Sequence, residues 1–109
     1  MSTEVILYYS DRFFGTADAI SFRNGMLRIH DLKTGSVGKI ETHIEQLEVY
    51  AALFCLEYKV KPSSINIELR VYKKDDVVCH QPAPEDIVAI MDKIIHLDKL
   101  LERIESEDA

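Results

Sequence analysis

Apolar and polar positions alternate along the first third of the chain and then change to a three- and four-residue rhythm. Residues 4–9 (EVILYY) are β-branched and aromatic, which predicts a strand. Residues 14–22 alternate loosely and run into Arg23-Asn24-Gly25, whose Asn-Gly pair favours a tight hairpin turn. Residues 26–32 alternate more strictly: Leu27, Ile29 and Asp31 fall on one side, Arg28, His30 and Leu32 on the other. Three strands in succession predict an antiparallel meander. From about Lys39 to Tyr58 the period becomes helical, with Ile44, Leu47, Ala51, Phe54 and Tyr58 on one face and no glycine or proline to interrupt. Residues 61–64 (KPSS) break that helix. Residues 65–72 alternate as a strand, KKDD turns the chain, and VVCH makes a short further strand.

The last segment opens with Pro84, Glu85 and Asp86, residues suited to a helix N-terminus, and predicts a helix to about Glu105. Its apolar residues Ile87, Ile90, Ile94, Leu97, Leu101 and Ile104 form a narrow seam. Such a seam predicts packing on the sheet, with a subunit interface as the competing use. The pattern as a whole predicts one α/β domain over residues 1–109: a mixed β-sheet with an N-terminal antiparallel meander, flanked by two helices.

Composition narrows the function classes. Apolar residues make up 47% and charged residues 29%, as in a soluble globular protein. No apolar run approaches the ~20 residues of a membrane span. The N-terminus has no basic stretch followed by a cleavage site, so a cytoplasmic protein is expected. Cys55 and Cys79 cannot supply a four-thiolate zinc or iron–sulfur site, and both are expected to be reduced. The net charge of −6 at first argues against a polyanionic partner. Its distribution changes that conclusion: residues 85–109 hold eight acids against three bases, leaving the rest nearly neutral and able to present a basic face.

The candidate chemistry lies around "IHDLKTG" at residues 29–35. Lys33 is two positions beyond Asp31 and so points to the same side of the strand. Asp18, in a run of small and apolar residues, is costly to bury without a partner. The Asn-Gly turn brings Asp18 towards Asp31, and two close carboxylates are tolerated when a divalent cation sits between them. Aspartate and carbonyl oxygens suit a hard ion such as Mg²⁺. On the following helix Gln46 and Tyr50 are four apart and share a face that His43 extends. His30 alternates away from Asp31 and reads as structural. His80 and His96 have no carboxylate at ligand spacing, and "GSVG" lacks the spacing of a phosphate-binding loop.

Taken in order, Gly15-Thr-Ala-Asp18, Asp31-Leu-Lys33 and Gln46-x-x-x-Tyr50 resemble motifs of the PD-(D/E)XK nucleases, nearest the RecB-like and phage exonuclease branch. The resemblance spans residues 5–72 and implies a restriction-endonuclease-like core. It implies Asp18, Asp31 and the Leu32 carbonyl as ligands of Mg²⁺ or Mn²⁺. It implies Lys33 as the catalytic lysine, with Gln46 and Tyr50 orienting Lys33 or a DNA phosphate. The implied activity is DNA cleavage, as an exonuclease or end-processing enzyme in phage-type recombination or repair. One departure stands out: relatives usually carry a helix with a glutamate or histidine ahead of the first strand. Here only "MSTEVILYYS" precedes the motifs, with Glu4 a weakly placed substitute. A minimal core that completes itself as a homo-oligomer through the C-terminal helix is therefore expected. A catalytically inactive nucleic-acid-binding or regulatory subunit is the alternative.

Overall fold

A computed structural model describes residues 2–32, 40–74 and 76–108 of the chain. Strands β1 (Ser2–Ser10), β2 (Phe13–Arg23) and β3 (Met26–Leu32) form the expected antiparallel meander. Helix α1 (Ile40–Tyr58) then crosses over, so that β4 (Asn66–Lys73) lies parallel to β3. Strand β5 (Asp76–His80) returns antiparallel, and α2 (Pro84–Asp108) closes the chain. Spatial order in the sheet follows chain order, β1-β2-β3-β4-β5. A hairpin suffices between antiparallel neighbours, whereas the parallel β3–β4 pair needs the helical crossover.

Local chemistry fixes the connections. Asn24 and Gly25 take φ of 53° and 75°, the two left-handed residues of a type I′ turn, which matches the twist of its flanking strands. The Gly25 carbonyl also accepts a 2.8 Å hydrogen bond from Asn66 N–H, tying the hairpin tip to the start of β4. At the end of α1, Lys59 turns left-handed (φ 56°) and Val60 N–H donates to the Cys55 carbonyl at 2.9 Å. That six-to-one bond is the Schellman closure, made here without glycine. Pro62 then opens a single 3₁₀ turn, Pro62–Ser64.

One face of the sheet packs against α1. Leu47, Ala51, Phe54 and Cys55 from the helix meet Leu7, Leu27, Ile29, Leu69 and Val71 from the strands in one core. The alternation expected in β3 holds, with Leu27 and Ile29 both fully buried. On the other face Ile6, Tyr8, Phe14, Leu32 and Val77 are exposed, and Glu68 lies between Arg28 and Arg70.

Helix α2 departs from expectation. It packs mainly on α1 and on the 3₁₀ turn, not on the sheet. With α1 covering one sheet face, α2 buries Ile87 and Ile94 against the outer flank of that helix and the 3₁₀ turn. The seam is accordingly split. Ile87 and Ile94 are buried, at 0% and 5% exposure, whereas Leu101 and Ile104 are 38% and 44% exposed. A polar clamp fixes the middle of α2 to the β1–β2 turn: Asp98 accepts from Ser10 Oγ at 2.6 Å and from Arg12 Nε at 2.9 Å. Arg12 also pairs with Glu105 at 2.9 Å. Among the described residues no helix is long and apolar enough to cross a membrane.

Candidate metal and phosphate site

The ladder between β2 and β3 runs from Arg23↔Met26 to Ala19↔His30. Asp18 and Asp31 are the next positions in that register, where the two strands part. Beyond that point β2 stays paired with β1 alone, as far as Phe13. A backbone donor left over at the end of β3 must find another acceptor. Leu32 N–H finds the Asp18 carboxylate, Oδ2, at 2.8 Å. The Asp18 side chain thus stands in for the ladder acceptor that β2 no longer offers.

A pocket of about 250 Å³ opens there, lined by Thr16, Asp18, His30, Asp31, Leu32, Gln46, Leu47 and Tyr50. The middle of β2 and the end of β3 supply the carboxylates, and α1 supplies the opposite wall. Gln46 Nε2 donates to the Tyr50 hydroxyl at 2.8 Å, the i to i+4 contact expected from their spacing. Because the Tyr50 oxygen accepts that bond, its own O–H is left to donate elsewhere.

Most of the expected site residues are therefore brought together: Asp18, Asp31, Leu32, Gln46 and Tyr50 share one pocket. Asp18 corrects one expectation, since it is exposed at the pocket and not buried among apolar neighbours. Lys33 and the glycine loop that follows it lie outside the described residues. Glu4 falls opposite Asp18 between the pairs Thr3↔Ala19 and Val5↔Ala17, but it is exposed and does not line the pocket. His43 is half-buried one turn before Gln46.

His30 is 6% exposed, with Nδ1 2.9 Å from the Tyr72 hydroxyl and the two rings stacked at 5.6 Å. Burial, followed by the charges of Arg70 and Arg28, pushes its pKa down and keeps the ring neutral. Its packing on Tyr72 is the kind of contact the structural reading expects, and His30 also lines the pocket. Glu68 nearby is pushed up by burial, but hydrogen bonds and charge from Arg70 and Arg28 outweigh this and hold it below the usual carboxylate range. Thr16, Leu47 and His30 were not singled out as pocket residues by pattern. Gly15 gave the one available signal, a glycine inside a strand, which marks close approach of another group.

Among the described residues no group of three or more His, Cys, Asp or Glu is placed to hold a metal ion. Two carboxylates at one pocket are donors of the type that suits Mg²⁺, which takes one or two carboxylates and fills its octahedron with water and phosphate oxygens. A comparison with family models, curated proteins and solved structures finds no match to this chain.

Proposed function

We propose that this chain is a Mg²⁺- or Mn²⁺-dependent deoxyribonuclease built on a PD-(D/E)XK-type core. The observation that carries the reading is the convergence of Asp18, Asp31, Gln46 and Tyr50, from three separate elements, on one pocket where β2 and β3 separate. A meander followed by a helical crossover to a parallel fourth strand supports the same core. Asp18, Asp31 and the Leu32 carbonyl would hold the ion. Bound there, it would supply an activated water for in-line attack and offset charge on phosphorus.

The chain's own residues do the remaining work. Asp18, anchored by Leu32 N–H, keeps a second carboxylate oxygen for a ligand. The Tyr50 hydroxyl, held by Gln46, offers a proton donor to a phosphate oxygen. Lys33, two residues past Asp31 in the sequence, would supply an ammonium for the charge that develops in the transition state. End-processing or exonuclease action in phage-type recombination or repair is the role we assign, in the cytoplasm. The exposed Leu100, Leu101 and Ile104 of α2 support self-association through that helix.

The test is incubation of linear and circular DNA with Mg²⁺ or Mn²⁺, with and without chelator. Loss of linear DNA that follows the metal is the expected result. A second reading, a catalytically inactive nucleic-acid-binding subunit, draws support from the small carboxylate set and the acidic surface of α2. DNA retention without cleavage at any metal concentration would favour it.

A further inference from the structure

Gly15 lies on β2 opposite Leu7 of β1, on the face that α1 covers. A Cβ placed on Gly15 would come 2.5 Å from Tyr50 Cε1 and 3.1 Å from Cδ1. Carbon atoms in contact sit about 3.5–4.0 Å apart, so no larger residue fits without moving the ring. The ring is not free to swing away cheaply. It is half-buried against the core, and its hydroxyl is held by Gln46 at 2.8 Å. A glycine in a strand interior costs stability relative to alanine, so its presence here needs a reason. No positive φ supplies one, since Gly15 is not among the residues with left-handed backbone.

We infer that Gly15 is a positioning residue: it leaves room for the Cε1 edge of the Tyr50 ring against β2 and thereby fixes where the Tyr50 hydroxyl meets the pocket. This rests on the nuclease reading only for its functional consequence. Three residues beyond Gly15 stands Asp18, so one short stretch of β2 sets both the carboxylate and, through the ring, the opposing hydroxyl. Filling the seat with a Cβ moves the hydroxyl and leaves the carboxylates in place.

A double-mutant cycle of Gly15→Ala and Tyr50→Ala tests the seat by thermal unfolding, without reference to activity. Gly15→Ala is expected to lower Tm by about 4 °C or more in the wild-type background. With Tyr50 truncated, the same change should be neutral or raise Tm, because the clash is gone and alanine is the better strand residue. Nuclear magnetic resonance should show the Gln46 side-chain amide signals shifted in Gly15→Ala, reporting the displaced hydroxyl. On DNA, Gly15→Ala should lower kcat by on the order of 10²-fold, the scale of a ~1 Å misplacement, with Mn²⁺ affinity unchanged. An equal Tm change in both backgrounds, or unmoved Gln46 signals, would overturn the inference. A wild-type chain that binds no metal and cuts no DNA, yet shows the sign reversal and the shifted amide, would instead sink the nuclease reading alone.

Discussion

Replacing Asp18 by asparagine and, separately, by alanine separates two duties of one carboxylate. The structural duty is the 2.8 Å bond accepted from Leu32 N–H at the end of the β2–β3 ladder. Asp18 is exposed, so the bond is worth a net of about 1 kcal/mol. Alanine removes it, which for a domain of this size lowers Tm by about 4 °C. Asparagine keeps an oxygen acceptor and removes a negative charge beside Asp31, so its cost should be less than half of that. The second duty, under the function proposed above, is to hold a cation. A ligand at 100 times its Kd stabilises the folded state by about 2.7 kcal/mol, or about 10 °C here. Wild type titrated with Mn²⁺ should show that rise, and both variants should lose it. Melting curves with chelator and with saturating Mn²⁺ give all the quantities from one instrument. The reasoning fails if Asp18→Asn keeps the full Mn²⁺-dependent rise, or if wild type shows none.

Lys33→Ala should reduce DNA cleavage by on the order of 10²-fold while the melting curve stays within a degree or two of wild type; a fully active variant would remove Lys33 from the mechanism. Light scattering at micromolar concentration should report a mass above the 12.5 kDa chain, falling to the monomer in Leu101→Glu/Ile104→Glu; a monomeric wild type would leave the exposed seam without that use. Asp98 is held below the usual carboxylate range first by the Ser10 hydrogen bond and then by Arg12. Its contribution is therefore present above the unfolded value of about 3.9 and lost as pH falls through the lower folded value. Tm of Asp98→Asn should converge on wild type at that acid end, and parallel curves would contradict the assignment. Burial pushes the Cys55 thiol up to about 11, while Cys79 is exposed; a thiol reagent at pH 8 should label one cysteine in the native chain and two in denaturant.

The legible parts of the fold are those where one local rule decides. Asn24-Gly25 specified its turn, and with it the register that puts Asp18 and Asp31 level with each other. Alternation placed Leu27 and Ile29 inside and sent His30 to the other face. The i to i+4 spacing of Gln46 and Tyr50 foretold their hydrogen bond. What pattern could not decide was competition between surfaces. The seam of α2 is equally good for a sheet or a helix, and its own residues do not say that it packs on α1 and not on the sheet. Asp18 looked costly because its neighbours are apolar, yet whether a position is buried depends on where β2 leaves β3. The role of Gly15 depends on a ring thirty-five residues away, which no local rule can see.

The parallel pairing of β3 with β4 has a consequence for the order in which the molecule forms. Met26 pairs with Asn66 and Leu32 with Tyr72, so this ladder closes a loop about forty residues long. Such closure is slow compared with a hairpin or a helix. All the residues lining the pocket fall between Thr16 and Tyr50, ahead of β4 in the chain. The pocket's parts are thus drawn from the sequence-local half of the molecule, joined by a type I′ hairpin and the first turns of one helix. Hydrogen exchange should show β5 and the outer end of α2 opening at lower free energy than β2, β3 and α1. The chemistry would then keep its geometry while the edge of the sheet breathes.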